Sequence, residues 1–135
     1  MSYEKKTMMR IVAMPCNTNP NGDIFGGWIL SQMDLAGYTA CKDFYPGRYV
    51  TIAINDTVFK QPIFVGDILT IYTKIVDIGR TSITIEICTY LDRINSPATK
   101  QNDIIVTEGI FKYVHINDER YPIPIPEKIK KYGDL

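Results

Sequence analysis

The sequence predicts an α+β fold, one long central helix wrapped by a five-stranded antiparallel β-sheet. Three observations carry the prediction. Residues Gly26 to about Phe44 form an uninterrupted, largely apolar run of helical length. Beyond Tyr49 the pattern changes to alternation rich in Val, Ile and Thr, the period of strands. One short apolar run precedes the helix and four alternating runs follow it, and a sheet curled around the helix is an economical way to bury every apolar face.

The elements follow in order. Met8 to Met14 is an apolar run closed by Pro15 and reads as the first strand. Cys16 to Asp23 contains Asn17, Asn19, Pro20, Asn21 and Gly22, residues that favour turns through side-chain–backbone bonding, fixed φ or freedom at positive φ. In the helix, Ile29, Met33, Ala36, Ala40 and Phe44 recur at spacings of three and four and define a buried stripe. Trp28, Leu30 and Leu35 make the helix apolar around most of its girth, so it should be enclosed rather than laid on a surface. Tyr45-Pro46-Gly47 ends it. Strands are expected over Tyr49–Phe59, Ile68–Ile78, Thr81–Leu91 and Asp103–Ile116. Gly79-Arg80 is a candidate tight hairpin connection, and residues 92–102 form a polar loop. From about Tyr121 the Pro-rich tail, with Pro122, Pro124 and Pro126, cannot pair at its prolines and should be extended.

The 135 residues fit one domain spanning 1–135. Fifteen basic and fifteen acidic side chains balance. No basic stripe is available to neutralise phosphates, which argues against nucleic acid as a partner. A neutral chain lacks the self-repulsion that keeps monomers apart, so a homo-oligomer is expected. Cys16, Cys41 and Cys88 are widely spaced and odd in number, which predicts free thiols in a reducing compartment. The first residues have no apolar signal region, and no apolar stretch reaches the ~20 residues that span a bilayer. A cytoplasmic protein with no membrane association is the expectation.

One segment is the most informative: Asn21-Gly22-Asp23-Ile24-Phe25-Gly26-Gly27-Trp28-Ile29-Leu30-Ser31-Gln32-Met33-Asp34. Asp34 is the only charge between Asp23 and Lys42. Its helical neighbours three and four residues away are Leu30, Ser31, Gly37 and Tyr38, so no Lys or Arg pairs with it along the helix. A poorly solvated, unpaired carboxylate is the profile of a general base or nucleophile.

That segment, with Met14-Pro15 and Thr18-Asn19-Pro20 before it, resembles the YciA-type acyl-CoA thioesterases of the hotdog-fold superfamily. The resemblance continues through Gln61-Pro62, Val65-Gly66-Asp67, Gly79-Arg80-Thr81-Ser82 and Phe111-Lys112-Tyr113-Val114, and so covers Met8 to about Pro126. It implies hydrolysis of an acyl-CoA thioester to a free acid and CoA. It also implies a hotdog dimer as active unit, assembled as a trimer of dimers, with each site lying between protomers. No cofactor is implied beyond coenzyme A as part of the substrate.

By resemblance, Asp34 is the catalytic carboxylate, activating water or attacking the carbonyl itself. Gly26 and Gly27 begin the helix, where amide groups lack intrahelical acceptors and the dipole adds positive charge. They suit an oxyanion hole. Asp34 lies about 12 Å along the axis from Gly26 at 1.5 Å per residue, which is long for one carbonyl to meet both within one protomer and natural if they come from different chains. Asn19 and Asp23, in the entry loop, orient water or thioester in relatives. They are equally ordinary turn residues. Thr51 matches a Ser/Thr position that contacts the attacking group. Arg80, Thr81 and Ser82 offer a cation, hydroxyls and turn amides to the phosphates or adenine-ribose of CoA, with Lys60 and Lys112 as weaker candidates for the same charge.

Several chemistries have no motif. There is no GxSxG elbow for Ser31, no GxGxxG or P-loop, and the lone His115 has no partner at metal spacing. Hotdog dehydratases need a His on or near the helix, and none is present. A non-catalytic acyl-CoA-binding or sensing module is the alternative, since it needs the pocket but not the carboxylate. A purely structural β-rich assembly protein is a third reading, opposed by the acid on an apolar helix.

Overall fold

A computed structural model describes residues 5–93 and 104–130. β1 (Lys6–Val12) is followed by a short 3-10 turn at Pro15–Asn17 and by α1 (Gly26–Phe44). Then come β2 (Arg48–Phe59), β3 (Ile68–Ile78), β4 (Ser82–Asp92), β5 (Ile104–Ile116) and a one-turn helix, α2 (Glu127–Lys130). The strands form one antiparallel sheet in the order β1-β3-β4-β5-β2. β1 and β2 are therefore the two edges, and α1, which joins them, must cross the face of the sheet.

The crossing explains the core. Ile29, Met33, Ala36, Gly37, Ala40 and Cys41 are the buried face of α1. All but Gly37 belong to one apolar cluster with Leu69, Ile71, Ile83, Ile85, Ile87, Phe111 and Tyr113. On β4 the alternation reads as expected, with Ile83, Ile85 and Ile87 wholly buried. Removing any one of these by truncation to Ala costs about 2–5 kcal/mol, because a close-packed core collapses only partly around a void.

The expected helix agrees with α1 at both ends, and β3 agrees as well. The differences have physical causes. The β3–β4 turn is shifted by one residue: Ile78 pairs with Ile83 and the Gly79 amide donates to the Ser82 carbonyl at 2.8 Å, so Arg80 and Thr81 form its tip. The polar loop expected over 92–102 lies mostly outside the described residues. The tail is extended but not free. Its alternating prolines leave the amides of Ile123 and Ile125 as donors, to the His115 carbonyl at 2.9 Å and the Arg80 carbonyl at 2.8 Å. Ile125 is buried, and α2 follows.

The helix is not enclosed within one chain. Leu35 is 53% exposed and Phe25 51%. The sheet is one layer and covers one side of α1, so the other apolar side waits for something else. The edge strand β2 shares this property: Ile52, Ile54, Val58 and Phe59 are all exposed.

Candidate active site

Asp34 lies midway along α1, on the border between its buried and open sides. The Thr51 hydroxyl, from β2, donates to Asp34 Oδ1 at 2.6 Å. The Tyr113 hydroxyl, from β5, lies 3.0 Å from the same Oδ1 and 3.0 Å from the Asp34 backbone carbonyl oxygen, a three-centre arrangement. Two neighbouring strands thus aim hydroxyls at one carboxylate oxygen. This is local geometry with a sequence cause, because Thr51 and Tyr113 are directly paired across β2 and β5 and so project to the same face.

Tyr113 reaches the helix only because position 37 has no side chain. A Cβ at Gly37 would overlap the Tyr113 hydroxyl and press on Ile87 Cδ1. Burial, reinforced by the Asp34 charge, pushes the Tyr113 hydroxyl far above the ordinary phenol range, so it remains a hydrogen-bond donor. Burial likewise raises the Cys41 thiol, with the Asp34 charge adding to the shift.

The helix start forms a second locus. The N-cap is Phe25, which has no side-chain oxygen to cap Gly26 and Gly27. An open cleft of about 360 Å³ lies here, lined by Asn19, Asp23, Gly26, Phe59, Lys60 and Ile63 among others. The Asn19 side-chain oxygen accepts from the amides of Asn21 at 2.9 Å and Asp23 at 3.1 Å. Gly22, at φ +90°, turns the loop where an L-residue would be strained. Asn19 therefore builds the loop with its oxygen while its side chain borders the cleft. Asp23 and Gly26 border it too, and Gly27 has open space beside its Cα.

The cations do not converge within one chain. Lys60 sits by the cleft and pairs with Glu108 at 2.7 Å. Arg80 is exposed on the β3–β4 connection, whose Arg80 and Thr81 carbonyls hold Ile125 and His115. Ser82 pairs with Val114 and Phe59 with Thr107. At about 3.3 Å per residue, roughly 23 Å of β5 separates those two ends. Lys112 stands between, exposed, opposite Ala53 and Thr84.

His115 is structural. It is buried, its Nδ1 is 3.2 Å from the Ile123 carbonyl, and it packs edge-on to Tyr45 at 5.3 Å. Among the described residues no group of three or more His, Cys, Asp and Glu side chains could hold a metal ion. No helix there is long and apolar enough to cross a membrane. The reading of the sequence gave no role to Tyr113 or Gly37. Strand alternation alone marks Tyr113 as inward-facing, and only the fold shows what it meets.

A helix carboxylate held by strand hydroxyls, with a glycine helix start beside a cleft, on a long helix packed across a five-stranded antiparallel sheet, fits a hotdog thioesterase. The thioesterase superfamily model matches residues 21–97. The acyl-CoA thioester hydrolase YciA of Escherichia coli is 40% identical over 119 residues, covering 88% of this chain and 89% of that protein. A hexameric hotdog-fold thioesterase of Campylobacter jejuni superposes with a TM-score of 0.85 at 41% identity, covering 96% of each chain. A hexameric thioesterase of Yersinia pestis gives 0.81 at 36% identity, covering 90% of this chain and 96% of that one. The chain belongs to the thioesterase superfamily and, within it, to the YciA-type acyl-CoA thioester hydrolases.

Proposed function

We propose that this protein hydrolyses the thioester of acyl-CoA to a free carboxylic acid and CoA. The observation that carries the proposal is Asp34, a carboxylate on an apolar helix that forms no ion pair among the described residues and is oriented by two hydroxyls. Asp34 takes a proton from water, whose oxygen adds to the acyl carbon, or it adds to that carbon itself. By the first route the C–S bond breaks and the CoA sulfur leaves with that proton; by the second it leaves as thiolate, and water then hydrolyses the Asp34 anhydride, releasing the acid, returning the carboxylate and supplying the thiol proton. The amides of Gly26 and Gly27 receive the negative charge that develops on the carbonyl oxygen. Asn19 and Asp23 orient water or thioester from the cleft rim.

The active unit is a dimer. The axial gap between Gly26 and Asp34 and the exposed apolar edge of β2 both support it. An isologous pairing of β2 with its twofold copy runs the two helices antiparallel, which turns the glycine end of one chain toward Asp34 of the other. The same operation turns the Arg80, Thr81 and Ser82 end of one chain toward the Lys60 end of its partner. That juxtaposition supports a CoA phosphate site shared between chains, with Lys112 beside it. Assembly of three such dimers into a hexamer, a single domain over 1–135 and a cytoplasmic setting complete the reading. Free Cys16, Cys41 and Cys88 agree with a reducing compartment.

The chemistry uses a carboxylate, water and backbone amides and calls for no metal or redox group, so chelators should leave the rate unchanged. The deciding experiment is turnover of a panel of acyl-CoAs, read with a thiol-detecting dye. Many equivalents of thiol released per chain support an enzyme. Stoichiometric binding without release supports the sensing module instead.

A further inference from the structure

We infer that Tyr113 and Thr51 clamp a single oxygen of Asp34, Oδ1, and so assign the reaction to the other oxygen, Oδ2, with Tyr113 acting as a positioning residue. The inference rests on the thioesterase reading and names a device inside it. Both hydroxyls reach Oδ1, at 2.6 and 3.0 Å. Among the described residues no hydrogen bond reaches Oδ2. An Asp side chain rotates freely about its last torsion, so an unclamped carboxylate presents its two oxygens interchangeably. Two donors from adjacent paired strands remove that freedom and fix the plane of the group. Tyr113 is wholly buried, and its ring stacks on Phe111 at 6.5 Å. It is therefore a rigid support, whereas Thr51, on the open edge strand, is exposed. The bond from Tyr113 to the Asp34 backbone oxygen ties the same hydroxyl to the helix, so side chain and backbone of Asp34 are held as one piece.

Gly37 belongs to the device. It lies three residues after Asp34, almost one helical turn on, and its missing side chain is the gap the Tyr113 hydroxyl enters. Among the described residues, the titratable groups raised by the Asp34 charge are Tyr113 from β5 and Cys41 from its own helix. Burial keeps both protonated, so neither presents a competing charge.

The test is a kinetic cycle on the full-length assembled protein with one acyl-CoA, using Tyr113→Phe, Asp34→Asn and the double variant. Tyr113→Phe keeps the ring and removes only the hydroxyl. Its kcat should fall about 10- to 100-fold, as expected for loss of alignment, with KM unchanged within about twofold. In the Asp34→Asn background the same change should do nothing further, because a support acts only through what it supports. Equal fractional losses in both backgrounds would mark Tyr113 as merely structural and overturn the inference. So would wild-type kcat for Tyr113→Phe beside an inactive Asp34→Asn, an outcome that leaves the thioesterase reading intact. Wild-type kcat for Asp34→Asn would instead sink the role of Asp34 itself. If Tyr113→Phe fails to fold, Thr51→Val reads the same clamp from the exposed strand. A fall in kcat that Thr51→Ser restores supports the clamp, and no fall refutes it.

Discussion

At the scale of the residue, Asp34 was legible because charge is conspicuous by its surroundings: eighteen positions of mostly apolar and small side chains between Asp23 and Lys42 hold only this acid. Thr51 could be found only through resemblance, since a Thr in a strand is ordinary. That Tyr113 and Gly37 meet was not legible. Their meeting depends on the depth at which β5 passes under α1, a quantity no local pattern encodes. That meeting yields a stability prediction. Gly37→Ala puts a methyl group against a buried ring and Ile87, and overpacking a dense core costs about 1–3 kcal/mol. The variant should melt lower than wild type in a thermal scan despite alanine's better helix propensity. A higher melting temperature would show that the ring has room to move.

At the scale of the element, periodicity identified α1 and β3 well because each has a long stretch with one face against the core. It failed where two signals compete. Gly79-Arg80 has the composition of a two-residue hairpin, and the connection is tight, but its tip falls one residue later, on Arg80-Thr81, where the two carbonyls accept from the amides of Ile125 and His115. The tail's prolines exclude a regular strand, yet they leave the intervening amides aligned on one side, which the pattern alone did not reveal. The edge strand β2 carries the clearest consequence. Ile52 and Ile54 are exposed in the single chain, and natural edges without charge or cover invite pairing. Ile54→Lys should place a charge in the proposed strand–strand seam, convert the assembly to smaller species in sedimentation, and lower activity with it. Unchanged sedimentation would remove β2 from the interface.

A consequence of burial belongs to the whole fold rather than to one site. Cys41, Tyr49 and Tyr113 all have their ionisation raised, in each case first by desolvation. For an acid held protonated in the folded state the unfolded chain binds fewer protons at high pH, so stability falls as pH rises. The loss begins near the unfolded thiol value of about 8.5 and extends through the unfolded phenol value of about 10. Each group contributes about 1.4 kcal/mol per pH unit once its unfolded form is ionised. Urea unfolding midpoints should therefore drop steadily from pH 8 to pH 10.5. The exposed Cys16 should react with an alkylating reagent in the folded protein while buried Cys41 and Cys88 do not. A flat stability profile over that range would mean that these groups are already hydrated in the native state.

The division of labour between chains gives the most exacting prediction at this scale. Gly26 opens α1, and Phe25 before it has φ −58° and ψ 133°, the conformation that a following proline requires. Gly26→Pro should then keep the helix start, where proline is tolerated, while deleting the amide donor. Its Cβ would press on the ring of Phe59, which is half exposed and can yield. Gly26→Pro and Asp34→Asn should each be nearly inactive as homo-oligomers. In a mixed dimer one composite site receives both defects and the other receives neither. Random reassortment at equal amounts makes about half of all dimers mixed, each with one of its two isologous sites intact. Activity should return to about a quarter of wild type when the two are denatured and refolded together, and not when they are merely mixed below the exchange rate. If each chain instead held its glycine and its carboxylate on the same thioester, every site in the mixture would keep one defect, and co-refolding would restore nothing.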